Sequence, residues 1–147
     1  MKTRLVMLLL TLLLGVGTAY SATQQEVDQR LDFLFGSHQQ YHDFLTDLQK
    51  AVAAKDKAKV AAMASYPLKV GLKGKEKTFR NPAALKKGYD SVFTPELSKI
   101  ILEQKYEDLF ARDRGVMVGD SGQLWFSGVC ADKACKKSRV LIIRINQ

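Results

Sequence analysis

The sequence predicts an α+β domain, helices first and strands last, in which an antiparallel sheet covers a long N-terminal helix. Apolar residues recur at helical spacing through the first third of the chain, two short alternating runs meet at a glycine turn, and strand-like runs separated by turn residues fill the end. The length of 147 residues suits one domain. With 46% hydrophobic residues and only 10 Gly and 3 Pro, collagen-like, low-complexity and disordered classes are excluded.

Residues 1–21 read as a secretory signal peptide. Lys2 and Arg4 precede a leucine-rich run at residues 5–14, and small residues at Gly17, Ala19 and Ser21 place the cleavage after Ala19 or Ser21. The run is too short to span a bilayer, which takes roughly 20 residues. Residues 22–147 are then expected as one periplasmic or secreted domain, without an integral membrane segment. Loss of Lys2 and Arg4 takes the formal charge from +8 to +6.

From Glu26 onward, Val27, Leu31, Leu34, Tyr41, Leu45, Leu48 and Val52 form one apolar stripe, and Gly36-Ser37 in its middle splits or kinks the helix. Asp56 caps a second, alanine-rich helix that stops before Pro67. Residues 68–72 and 76–80 then alternate around Lys73-Gly74-Lys75, the pattern of a β-hairpin. Asn81-Pro82 and Thr94-Pro95 each place a capping side chain before a proline suited to the first helical position, so two short helices follow. Residues 116–118, 123–129 and 139–145 close the chain as hairpin-linked strands.

Cys130 and Cys135 are the only cysteines, and an even count in an exported chain favours a disulfide. The bridge staples a hairpin loop, and its short closed loop puts the gain at the lower end of roughly 2–4 kcal/mol. Their spacing is not that of thiol oxidoreductases, and no further zinc ligand is near.

The order of elements, with Tyr66-Pro67-Leu68, the basic hairpin, Phe93-Thr94-Pro95, residues 115–120 and Leu124-Trp125-Phe126, resembles the nuclear transport factor 2-like superfamily, in particular its small secreted bacterial members. The resemblance implies a cone-like, cystatin-related fold, with helices packed in a strongly curved antiparallel sheet and a pocket at the open end. It also implies that Tyr89, Phe93, Met117 and Trp125 line that mouth. The superfamily holds isomerases, cyclases and non-catalytic members, so the fold does not assign an activity. No catalytic residue of those enzymes maps onto this chain.

His38 and His42 are spaced for one helix face but lack the glutamate of the H-E-x-x-H motif, so a polar helix face is expected rather than a metal site. Asp120 and Ser121 sit among Gly119 and Gly122 as turn residues, without the frame of a nucleophile elbow. Phosphate-loop and dinucleotide motifs are absent, and no cofactor is expected.

Charge is the sharper signal. Between Lys69 and Lys87 stand seven bases (Lys69, Lys73, Lys75, Lys77, Arg80, Lys86 and Lys87) against one acid, Glu76. Lys133, Lys136, Lys137, Arg139 and Arg144 form a second basic group around the cysteine loop. The first group is expected to engage an acidic protein or an anionic envelope component, and export disfavours nucleic acid. A non-catalytic binding protein of inhibitor or immunity type is the leading expectation. The alternatives are a pocket enzyme of the ketosteroid isomerase or polyketide cyclase type, using a buried carboxylate such as Asp120, and an adaptor for anionic glycans.

Overall fold

A computed structural model describes residues 22–147, and the leader expected over residues 1–21 lies outside the described residues. Helix α1 (Gln24–Phe35) opens on a capping box: Thr23 accepts from the Glu26 amide, and the Glu26 carboxylate accepts from the Thr23 amide at 2.7 Å. It stops at Gly36, whose φ of 80° is left-handed, and α2 (Gln39–Ala53) begins after the turn. The apolar stripe is therefore carried by two helices, and Phe35 stacks on Tyr41 across the corner with ring centroids 4.6 Å apart.

Asp56 caps α3 (Lys57–Ala62) by accepting from the Lys59 amide at 2.9 Å. Strand β1 (Ala64–Leu72) follows, starting earlier than expected and including Pro67. Proline has no amide to give a ladder, and the pairing of β1 with its inner neighbour is irregular between Ala64 and Lys69. Next come β2 (Lys75–Phe79), α4 (Pro82–Lys87), α5 (Tyr89–Val92) and α6 (Pro95–Glu103). Asn81 and Thr94 cap α4 and α6 as their sequence signals predict. A single 3-10 turn (Tyr106–Asp108) leads to β3 (Phe110–Arg112), β4 (Gly115–Val118), β5 (Leu124–Cys130) and β6 (Ser138–Asn146).

The six strands form one sheet in the order β2-β1-β6-β5-β4-β3. The hairpins are antiparallel, but β1 runs parallel to β6. This corrects the expected cone of antiparallel strands: the sheet is mixed and not strongly curled. The parallel pair arises because the chain comes back beside β1, as β6, only after α4–α6 and strands β3–β5, a long crossover of the kind parallel neighbours require.

The pleat separates a covered face from an open one. Leu68, Val70, Phe79, Val116, Val118, Leu124, Phe126, Ile142 and Ile145 are buried with Leu31, Leu48 and Ile101 of the helices in one apolar core. Tyr41 of α2 is buried there, and its hydroxyl accepts from the Gly128 amide at 3.1 Å, pinning α2 to β5. The opposite face carries Phe110, Met117, Trp125, Arg144 and Lys69, which the strand registers align across β3, β4, β5, β6 and β1.

Candidate functional site

The basic stretch folds around the edge of the sheet, and the pleat sorts its side chains. Lys73 and Gly74 make the turn between β1 and β2 with φ of 47° and 77°, the positive angles of a type I′ hairpin. Lys75 and Lys77 lie opposite Leu72 and Val70 and so share the helix-covered side. Lys69 and Glu76 fall on the open side, one residue out of phase.

On that open side Glu76 accounts for two cations. One carboxylate oxygen lies 3.2 Å from the Lys69 ammonium, and the other accepts from the Arg144 guanidinium at 2.7 Å. Arg144 first, and Lys69 second, hold the Glu76 carboxyl below its ordinary range. Arg144 is further fixed by donating to the Asn146 side chain at 2.9 Å.

The other six bases are left without such a partner. Lys73, Lys75, Lys77, Arg80, Lys86 and Lys87 are all exposed, and among the described residues none lies within 4.0 Å of a carboxylate. The Lys77 ammonium sits 4.9 Å from the centre of the Phe79 ring, a cation–π contact that holds its stem along the edge. The end of α4 closes onto the same strand, since a β-carbon at Gly88 would come within 2.7 Å of the Phe79 ring. Edge strand, turn and α4 thus bring the six cations to one margin of the molecule. A groove of about 640 Å³ runs beside the turn, lined by Leu72, Lys73, Lys75, Ser91, Thr94 and Gln147.

The lysines of the second basic group stand elsewhere. Cys130 and Cys135 are bridged, and the bridge closes the exposed loop that holds Lys133. Lys136 and Lys137 follow it, also exposed. The Asp132 side chain accepts from the Lys136 amide at 3.3 Å. This loop precedes β6, whereas the β1–β2 turn adjoins the far end of β6, where the Gln147 amide donates to the Gly71 carbonyl. At about 3.3 Å per residue along β6, the lysines of the cysteine loop are roughly 30 Å from the β1–β2 turn, whereas Arg144, grouped with them in the sequence, lies against Glu76.

The four residues expected to line one mouth are divided by the sheet. Tyr89 and Phe93 stack at 4.7 Å on the helical side, nearly buried, beside a cleft of about 370 Å³ that also involves Val52, Pro95 and Leu102. Met117 and Trp125 pair across β4 and β5 on the open face. They do not form a single pocket.

His38 and His42 also part company. His38 Nδ1 lies 2.9 Å from the Asp32 carboxylate, which raises the His38 value and lowers that of Asp32. The His42 ring meets Tyr106 edge-on at 4.6 Å, and the Tyr106 hydroxyl donates to Asp28 at 2.7 Å. Burial first, and the Asp28 bond second, push the Tyr106 phenol well up. Among the described residues no group of three or more His, Cys, Asp or Glu is placed to hold a metal ion. Asp120 is exposed in the turn after β4, so it lacks the burial required of a proton-accepting carboxylate in an apolar pocket.

The residues that sequence reasoning missed at this site are Glu76 and Arg144 as a pair. Their contact spans β2 to β6 and exists only because β1 lies between them in parallel with β6. Comparison of the chain with protein-family models, curated proteins and solved structures finds no match.

Proposed function

We propose that this is an exported, non-catalytic binding protein that engages an acidic protein partner through the basic margin formed by β2, the Lys73-Gly74 turn and α4. The observation that carries this reading is the segregation of charge. The one acid in the stretch is set on the open face by the pleat and held there by Lys69 and Arg144, leaving six exposed cations along one margin that have no carboxylate partner among the described residues. A surface that served only solubility has no need of that sorting, whereas a complementary acidic surface gains both steering and register from it.

An inhibitor or immunity-like role in the cell envelope fits such a protein, on a nuclear transport factor 2-like plan of helices backed by a sheet. The Cys130–Cys135 bridge is compatible with a periplasmic or secreted address. The pocket-enzyme reading has less behind it, with Asp120 exposed and the four aromatic and thioether candidates split between two faces.

The test is affinity capture with the purified protein as bait in envelope extract, at low and moderate salt, beside a Lys73→Gln/Lys75→Gln/Lys77→Gln variant. An acidic protein retained by the native bait at low salt, weakened by added salt and lost with the variant, is the expected result. Equal retention by both baits contradicts the reading.

A further inference from the structure

We propose that β2 takes up an added strand from the acidic partner, an extended segment with carboxylates at alternate positions. This deepens the reading above and rests on it. β2 is an outermost strand, with Lys75, Glu76, Lys77 and Thr78 all exposed and, among the described residues, only β1 as a sheet neighbour.

The turn determines which backbone groups face outward. A two-residue hairpin makes Leu72 and Lys75 a mutually hydrogen-bonded pair, so at the next pair Gly71 and Glu76 point their amides and carbonyls away from each other. Gly71 does so on the inner side, where its carbonyl accepts from the Gln147 amide at 2.9 Å. By the same alternation Glu76 and Thr78 direct their amides and carbonyls to the side where, among the described residues, no further strand lies.

Side chains then select the occupant. A strand docked along Glu76 and Thr78 sets alternate residues beside Lys75 and Lys77, on the side of the groove that Lys75 and Leu72 line. The residue between them falls beside Glu76, so the matching pattern is acid, neutral, acid. Held by Lys69 and Arg144, the Glu76 carboxylate offers little repulsion to such a segment. A second copy of β2 would instead set lysine against lysine, which is destabilising. The edge lysines thus exclude self-pairing and admit a strand of opposite charge.

The probe is a short synthetic peptide alternating Glu with Thr. Two controls have the same composition: one is N-methylated at alternate amides, and the other has its Glu residues grouped in a block. Binding to the purified protein is measured by fluorescence anisotropy, and amide exchange at Glu76 and Thr78 by NMR. The expected result is slowed exchange at those two amides with the alternating peptide and a loss of about tenfold in affinity on N-methylation, as for one or two lost hydrogen bonds. If all three peptides bind alike and the two amides exchange unchanged, strand addition is wrong while the acidic-partner reading stands. If none binds at low salt, both fall.

Discussion

Glu76, on the edge strand, reaches past Lys69 of β1 to Arg144 of β6 and accepts a 2.7 Å hydrogen bond from its guanidinium. One carboxylate thereby ties three strands on the open face. It offsets the cations beside it and contributes nothing to offset those at the turn and on α4.

Replacement of Glu76 by Gln should therefore strengthen low-salt binding of an acidic peptide, because Lys69 and Arg144 lose their counter-charge. The fold should persist, as exposed ion pairs contribute little to stability. The carboxyl is lowered in the folded protein, so its contribution is present above the unfolded value and is lost as pH falls through the folded one. An NMR titration of Glu76 at its ordinary value, or unchanged peptide binding by the variant, would contradict this.

Lys73 holds a positive φ of 47° that lysine adopts at a cost and that asparagine tolerates in a type I′ turn. Lys73→Asn should stabilise the protein by about 1 kcal/mol in urea unfolding while weakening its hold on an acidic ligand. A variant that is both less stable and equally good at binding would show that the lysine is not retained for contact.

The Tyr41 hydroxyl is the partner of the Gly128 amide, at 3.1 Å and in a part-buried setting. Tyr41→Phe should cost about 1–2 kcal/mol by leaving that donor unpaired. Burial raises the Tyr41 phenol above its ordinary value. A urea midpoint unchanged from the native protein would mean that the amide finds another acceptor.

The α1–α2 corner should be pH-sensitive through Asp32 and His38. His38 is raised by its bond to Asp32, so its contribution is full below the ordinary histidine value and fades as pH rises through the raised one. Asp32 is lowered, so its share fades as pH falls through its folded value. NMR titration of His38 should show the raised value, and Asp32→Asn should return it toward 6.5.

Elements whose signals are local were legible in the sequence. Asn81-Pro82, Thr94-Pro95, Asp56 and the Lys73-Gly74 turn each act on the backbone within a few residues, and each stands where expected. The disulfide was legible for a similar reason: with two cysteines, only one intrachain pairing was possible. The parallel pairing of β1 with β6 was not legible, since register between strands some seventy residues apart leaves no periodic trace. That gap hid the Glu76–Arg144 contact, while the cone implied by the resemblance put Met117 and Trp125 with Tyr89 and Phe93, although the sheet lies between them. β3, only three residues long, was too short for its alternation to register.

The most direct test compares two variants of equal charge. Lys73→Gln/Lys75→Gln/Lys77→Gln alters the turn margin, and Lys133→Gln/Lys136→Gln/Lys137→Gln alters the disulfide loop at the other end of β6. If the turn margin is the binding surface, the first variant loses the acidic ligand by about tenfold or more at moderate salt, while the second binds as the native protein does. Equal loss in both would show that net charge alone is being read, and would contradict a localised site.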